Sequence, residues 1–354
     1  MNRVKKYTSI LLILCFAMSL IACQKNSEHV DNNEQTQKKK IQIGISFDSF
    51  VIERWQREKD VFVSIAKELG AEVNVQNANN DIEAQKDQID YFIEKKMDVI
   101  LIVCMDSEGI RENVERAKES GIKVIAYDRL IKDVPLDLYI SFDNEAVGTL
   151  MGNALINNGL SKGDSVIMLG GPLTDNNVTL VESGFKKVMA NNEITILDSI
   201  HVDGWKAEIA STYIYEHLDT VMKASAIMCG NDNIASQVIH ALAEKRQAGN
   251  IMVVGQDADL EACQCVVEGT QLMTVYKPVE KMAKLAAEYA VMLGRGDSVE
   301  GSSVMKIENG DYIVPYVKLD PISVTEDNMN EVIIADQFHL KEDVYLNVPK
   351  KMPK

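Results

Sequence analysis

Charged and amide side chains stand directly after several short apolar segments of this sequence. Asp128 and Arg129 follow residues 123–127, and Asp257 comes two positions after residues 252–255. Carboxylates accept and cations donate strong hydrogen bonds, and their opposite charges balance, so a molecule bound among them need carry no charge. This combination favours a neutral polyhydroxyl ligand. The polar residues in such positions are Asp128, Arg129, Asp175, Asn177, Asn231, Asp257 and Lys277.

Both tryptophans of the chain occupy similar positions. Trp55 comes shortly after the apolar residues 41–46, and Trp205 follows residues 194–202. An indole ring offers an apolar plate for the C–H face of a sugar ring. Packing in the core or at the rim is the alternative for each, but their matched positions favour a pair of plates around one ring.

Signatures of other chemistries are missing from the sequence. There is no GxGxxG, Walker, HExxH or GxSxG pattern, and the segment Gly170-Gly171-Pro172 lacks the spacing of a phosphate loop. The five His are scattered, and Cys263 and Cys265 are two positions apart, which puts them on different faces of a helix. We therefore expect no catalytic residues, no metal and no cofactor.

The elements that carry these residues alternate between strand and helix. Near-continuous apolar runs alternate with amphipathic stretches from residue 41 to about 127, and the same rhythm restarts at about 145. Such runs are typical of parallel strands covered on both faces. Two serial sets predict an α/β fold of two doubly wound parallel-sheet lobes, in which ligands bind beyond the carboxyl ends of the strands.

The last part of the chain predicts a more complex connection between the lobes. Asn309-Gly310 separates two strand-like runs and indicates a hairpin. We expect three crossovers, near 141–144, 255–260 and 307–314. The predicted first lobe comprises 41–142 and 259–310, and the second comprises 143–258 and 311–348.

Composition sets limits on the partners. The chain has 354 residues, 46% of them hydrophobic and 25% charged, with a net charge of −16 at pH 7. A globular protein is expected from these values. The acidic surplus argues against nucleic acid, because nucleic-acid binding depends on basic patches.

The first 40 residues are predicted to precede the fold. A basic start and an apolar run at 10–22, too short to span a bilayer, indicate a signal peptide at 1–22. It ends in Leu20-Ile21-Ala22-Cys23, which resembles a bacterial lipobox. An ordinary signal with a chance cysteine is the alternative. Residues 23–40 would be a lipidated N-terminus and flexible tether that holds the protein, through Cys23, on the outer face of the cell membrane.

Several short segments in one order resemble a known family. They are Glu-Arg-Trp-Gln at 53–56, Ala-Tyr-Asp-Arg at 126–129, Ile-Ser-Phe-Asp-Asn-Glu at 140–145, Asp-Asn-Asn at 175–177, Val-Asp-Gly-Trp at 202–205, Asn-Asp at 231–232, Gly-Gln-Asp-Ala-Asp-Leu at 255–260 and Met-Thr-Val-Tyr-Lys-Pro at 273–278. They are similar to the type I periplasmic sugar-binding proteins of ABC importers, among them those for D-xylose.

The resemblance implies a type I periplasmic-binding-protein fold, with two lobes joined by a three-crossover hinge, and a monosaccharide, D-xylose, bound between them. It implies stacking of Trp55 and Trp205 on the sugar. The hydrogen-bonding residues that it implies are Arg54, Asp128, Arg129, Asp175, Asn177, Asn231, Asp257 and Lys277.

Alternatives to an importer's receptor remain open from the sequence. An ABC permease is the implied partner, but a membrane sensor histidine kinase would also suit a lipid-anchored receptor. A carbohydrate-active enzyme using the same carboxylates is an alternative of another class. A repressor of similar fold is disfavoured, because a signal peptide stands where its DNA-binding helices would be.

The lipobox hypothesis has a direct test. Cys23→Ala removes the sulfur that would carry the lipid, so the variant should leave the membrane fraction and be found in the soluble fraction or the medium. Immunoblots of fractionated cells check this. Unchanged membrane association of the variant would contradict lipid anchoring at Cys23.

Overall fold

The structure, a computed structural model, describes residues 40–353 and contains two mainly parallel β-sheets. The predicted signal peptide, Cys23 and the tether up to residue 39 lie outside the described residues. The strands are β1 (Ile41–Phe47), β2 (Ala71–Asn77), β3 (Val99–Ile102), β4 (Lys123–Tyr127), β5 (Leu138–Phe142), β6 (Ser165–Gly170), β7 (Thr195–His201), β8 (Ala226–Cys229), β9 (Met252–Gln256), β10 (Met273–Tyr276), β11 (Val304–Asn309), β12 (Tyr312–Leu319) and β13 (Ile322–Val324).

Helices cover these sheets. They are α1 (Arg54–Glu68), α2 (Ile82–Glu94), α3 (Arg111–Glu119), α4 (Asn144–Asn157), α5 (Asn176–Asn191), α6 (Glu208–Glu216), α7 (Leu218–Val221), α8 (Asp232–Glu244), α9 (Leu260–Glu268), α10 (Val279–Gly294) and α11 (Lys341–Val344). Short turns of 3-10 helix occur at Asp203–Trp205 and Glu326–Asn328. Within residues 40–353, none of the helices combines the length and apolar character that crossing a membrane requires.

The strand orders confirm two doubly wound α/β lobes. The first sheet has the order β11-β12-β5-β4-β3-β1-β2, with β11 antiparallel to β12 and the other pairs parallel. The second sheet has the order β13-β10-β9-β8-β6-β7, and its antiparallel strand is β13. The buried strands, such as Val-Ile-Leu-Ile in β3, are apolar throughout because helices cover both faces.

The crossovers differ from the predicted positions in two of three cases. The first lies at Asp143, as predicted, but the second follows β10 and the third follows β12. The region 259–276 therefore belongs to the second lobe, since α9 is the crossover that places β10 beside β9 in the same sheet. A hairpin keeps its strands adjacent, so β11 and β12 both join the first sheet rather than dividing at residue 310.

Glycines let two helices of the second lobe approach closely. A Cβ atom at Gly148 of α4 would lie 1.8 Å from the carbonyl oxygen of Val181, and one at Gly184 of α5 would lie 2.0 Å from that of Glu145. No larger residue fits at such distances. The contact fixes α5, whose first turn carries Asn177, against α4, which starts at the first crossover.

Candidate functional site

The polar residues singled out in the sequence meet at one cavity between the two lobes. The cavity lies beyond the carboxyl ends of both sets of parallel strands. Nine of the ten residues line it: Arg54, Trp55, Asp128, Arg129, Asp175, Asn177, Trp205, Asp257 and Lys277. The tenth, Asn231, is the N-cap of α8, where its side-chain oxygen accepts from the backbone N–H of Ile234 at 2.9 Å.

Arg54 connects carboxylates of both lobes. It is the first residue of α1, and its Nη2 lies 3.1 Å from Asp128 Oδ1 in its own lobe. Its Nη1 lies 3.7 Å from Asp257 Oδ1, which follows β9 in the second lobe. The guanidinium carbon also stands 4.4 Å from the ring centre of Trp55, so a cation–π contact holds this indole in place.

Arg129 makes a second bridge between the lobes. Its Nη1 lies 2.6 Å from Asp48 Oδ2, just after β1, and its Nε lies 2.6 Å from Asp175 Oδ2 in the second lobe. It also donates to the carbonyl oxygen of Cys104 at 3.1 Å. Because the fork of a guanidinium is rigid, these contacts fix the relative positions of three loops.

Two further contacts complete the polar lining. The side-chain amide of Asn177 donates to Asp128 Oδ2 at 3.1 Å and thereby joins the lobes again. Lys277, on the second crossover, lies 3.1 Å from Asp257 Oδ1. Each of the three predicted cations thus has a predicted carboxylate beside it.

Burial and charge act against each other on these carboxyl groups. Burial raises the pKa of Asp128, but the guanidinium of Arg54 and the charges of Lys277 and Arg129 outweigh it, so this pKa lies below its usual range. Burial raises the pKa of Asp175 above its usual range, and Arg129 only partly counteracts that shift.

Three of the lining residues have backbone conformations that residues other than glycine rarely adopt. Asp128, Trp205 and Asp257 have φ angles of 63°, 59° and 100°. Left-handed backbone is uncommon outside glycine and is a genuine outlier for a bulky residue such as Trp205. Such strain clusters at functional sites, because the surrounding structure must hold the residue in place.

Residues missed in the sequence lie behind this lining. Glu58 accepts from Arg54 Nε and from the hydroxyl of Tyr127, and Asp48 pairs with Arg129 as described above. Glu58 follows Arg54 by four positions, the spacing at which helix side chains meet, so this partner could have been found. Asp48 offered no such signal, since its pairing joins loops 81 residues apart.

Several buried polar atoms of the site have no hydrogen-bond partner among the described residues. They include Asn177 Oδ1, Asn231 Nδ2, Gln256 Oε1 and both indole nitrogens, those of Trp55 and Trp205. Buried polar groups are normally paired, and leaving one unpaired costs about 1–3 kcal/mol. The cavity therefore offers both donors and acceptors to a polar ligand.

Comparison with known proteins gives the family. The model of the periplasmic binding protein domain matches residues 43–298. A D-xylose-binding periplasmic protein of Haemophilus influenzae is 39% identical over 346 residues, which cover 96% of this chain and 99% of that protein. Its namesake from Escherichia coli is 37% identical over 344 residues, covering 96% and 100%. The chain belongs to the periplasmic binding protein domain family.

A solved structure agrees with this assignment. A carbohydrate transporter solute binding protein of Chloroflexus aurantiacus, in complex with D-glucose, is 25% identical with a TM-score of 0.78. The match covers 85% of this chain and 98% of that one. The predicted resemblance and fold are confirmed, and because the relatives are binding proteins, so is the expectation that the chain is not an enzyme. The individual roles of the ten residues remain predictions.

The buried Glu58 generates a prediction about stability. Burial raises the pKa of Glu58 to about 7, although Arg54 and the hydroxyl of Tyr127 oppose the shift. Between about pH 4.5 and 7 the folded protein retains a proton that the unfolded chain releases, so this group makes the free energy of unfolding fall as pH rises. Glu58→Gln removes this contribution. The variant should gain stability relative to the wild type across that window, by at most roughly 3 kcal/mol.

Chemical denaturation at a series of pH values measures the difference between the two proteins. The same substitution at the exposed Glu94 at the end of α2 is the control. A difference between Glu58→Gln and wild type that does not change with pH would show that Glu58 has an ordinary pKa.

Proposed function

We propose that this member of the periplasmic binding protein family is an extracytoplasmic receptor that binds a monosaccharide, D-xylose, between its two lobes. One observation carries the proposal: three buried cations and the three buried carboxylates that pair with them, contributed by both lobes, line one cavity together with both tryptophans. The fourth carboxylate of the lining, Glu182, pairs with Lys186. The proposed ligand is neutral and rich in hydroxyls, since every cation of the lining already has a carboxylate partner.

The two kinds of lining residue have different tasks in this proposal. The charged and amide groups bind the hydroxyls, each of which donates one hydrogen bond and accepts others. Trp55 of the first lobe and Trp205 of the second bind the apolar faces of the ring. A sugar that presents a hydroxyl in the wrong orientation leaves buried groups unpaired, and this gives the site its selectivity.

The choice of D-xylose follows from the relatives. Two proteins that match nearly the full chain are named D-xylose-binding periplasmic proteins. The glucose complex of the Chloroflexus protein supports a sugar as the class of ligand. Binding closes the lobes about the three crossovers, by a shift of population toward the closed state.

The proposed location and partner follow from the sequence and the family. Lipidation of Cys23 would hold the receptor on the outer face of the cell membrane, which raises its effective concentration near a membrane partner. The partner that we propose is an ABC permease, which recognises the closed lobes and takes the sugar. A sensor histidine kinase that responds to closure is the competing partner.

Titration with sugars tests the ligand. D-xylose should bind 1:1 and change the tryptophan fluorescence, because both indoles line the cavity. Asp257→Ala should weaken binding by about 2 kcal/mol, since Arg54 and Lys277 lose a shared carboxylate. Calorimetry with a panel of pentoses and hexoses measures both effects.

Asp60→Ala, an exposed position on α1, is the matched control and should bind as the wild type does. Wild-type protein that binds none of the sugars refutes the proposed function. Normal binding by Asp257→Ala, with silent fluorescence, refutes the site while leaving the function standing.

Uptake experiments distinguish the two partners. Cells that already express the permease, but lack this receptor, should lose most of their uptake of labelled D-xylose at low concentration. Xylose-induced transcription is measured separately in the same strain. Unchanged uptake together with lost induction would contradict the importer and favour the sensor kinase.

A further inference from the structure

Gly171 lies unusually close to one of the two indoles. It follows Gly170, the last residue of β6, in the Gly170-Gly171-Pro172 segment, which lacks the spacing of a phosphate loop. A Cβ atom at this position would lie 2.3, 2.4 and 2.6 Å from Cη2, Cζ2 and Cζ3 of Trp205. Contacts below 3.0 Å do not occur between a Cβ and a ring, so the indole lies directly on the backbone of residue 171.

Backbone conformation is not the reason for a glycine here. Gly171 is not among the glycines with positive φ, so other residues could adopt its conformation. The constraint is space on both sides. A Cβ at Gly230, after β8, would lie 2.8 Å from the backbone nitrogen of Gly171, so the chain at 171 is confined between Gly230 and the indole.

Trp205 is also held from its own side. Its φ of 59° and the φ of 57° at Gly204 form a tight left-handed turn. The turn is tied to the same segment, because the backbone N–H of Val202 donates to the carbonyl oxygen of Gly170 at 2.8 Å. A group added at 171 cannot push the turn away freely, so it must displace the ring.

We propose that Gly171 is a positioning residue for ligand binding: its missing side chain lets Trp205 lie against the backbone, which keeps the indole out of the space for the sugar ring. Gly171 and Trp205 both line the cavity, so a displaced indole changes its shape directly. This inference rests on the proposed function, because it assigns the indole to one wall of the sugar site.

Three variants test it by D-xylose titration: Gly171→Ala, Trp205→Phe and the double variant. Gly171→Ala should weaken binding at least about tenfold, the usual scale of overpacking. Phenylalanine lacks the outer ring atoms that approach residue 171. Gly171→Ala added to Trp205→Phe should therefore weaken binding less than about twofold further, which is a strongly non-additive result.

Gly152→Ala is the matched control. It overpacks the same lobe against the side chain of Val188, with a Cβ contact of 2.8 Å, but Gly152 does not line the cavity. It should lower the melting temperature and leave the affinity unchanged. Equal weakening by Gly171→Ala in both tryptophan backgrounds, or none in either, overturns the inference.

Two further measurements test the inference even if Gly171→Ala does not fold or the protein binds another ligand. If Gly171→Ala does not fold, a folded double variant supports the proposal, and a double variant that is equally unfolded overturns it. Near-ultraviolet circular dichroism of the ligand-free proteins reports the surroundings of the indole without any sugar. A wild type that binds no sugar refutes the proposed function, whereas a Gly171→Ala spectrum identical to wild type refutes the position of the indole.

Discussion

Burial of charge is the constraint on which the rest of this structure depends. Arg54, Arg129 and Lys277 are at most 4% exposed, and a desolvated charge costs several kcal/mol unless a partner of opposite sign lies beside it. Their partners come from both lobes. Arg129 pairs with Asp48 of its own lobe and with Asp175 of the second lobe, and Arg54 stands between Asp128 of its own lobe and Asp257 of the second. Each arginine therefore has one carboxylate within its lobe and gains a second one where the two lobes meet.

Two of the paired carboxylates stand on strained backbone. Asp128 and Asp257 reach their partners from sharp turns in the left-handed region, whereas Asp175 reaches Arg129 from extended backbone. Neighbouring strands hold these turns. The Asp128 carbonyl accepts from the hydroxyl of Ser141 at 2.6 Å, and the backbone N–H of Asp257 donates to the carbonyl oxygen of Val275 at 2.8 Å.

Sequence patterns predicted the elements and the cavity well, because both depend on local features. The strand ends with polar residues do meet at one edge, as expected from a doubly wound fold. The α5 helix begins at Asn176 because Asp175, one of the predicted site residues, caps it. The strand β5 was missed altogether, since no helix separates it from β4 and the expected strand-helix rhythm does not mark it.

What the patterns could not predict depends on contacts between distant parts of the chain. Strand periodicity does not say which sheet a strand joins, so β10 and β12 were placed in the wrong lobes. The ion pair of Asp48 with Arg129 and the contact of Trp205 with the backbone of Gly171 likewise join distant segments, and no regular spacing in the sequence links them. The position of Trp205 after a strand is enough to predict that it lies at the cavity. The exact position of its ring depends on the backbone of Gly171, which no sequence pattern indicates.

Direct contacts between the lobes also bear on the proposed closure around a ligand. Arg129 with Asp175, and Asn177 with Asp128, join the lobes directly, and the backbone N–H of Ser107 donates to the carbonyl oxygen of Thr174 at 2.9 Å. In an open state water would solvate these groups, so their net contribution to closure is much smaller than their contact energy. A ligand shifts the equilibrium only by its differential affinity for the two states. The direct contacts leave Asn177 Oδ1 and Gln256 Oε1 buried without a hydrogen-bond partner, and this costs free energy when the lobes close. A polyhydroxyl ligand that donates to these oxygens removes the cost, so it shifts the equilibrium toward the closed state.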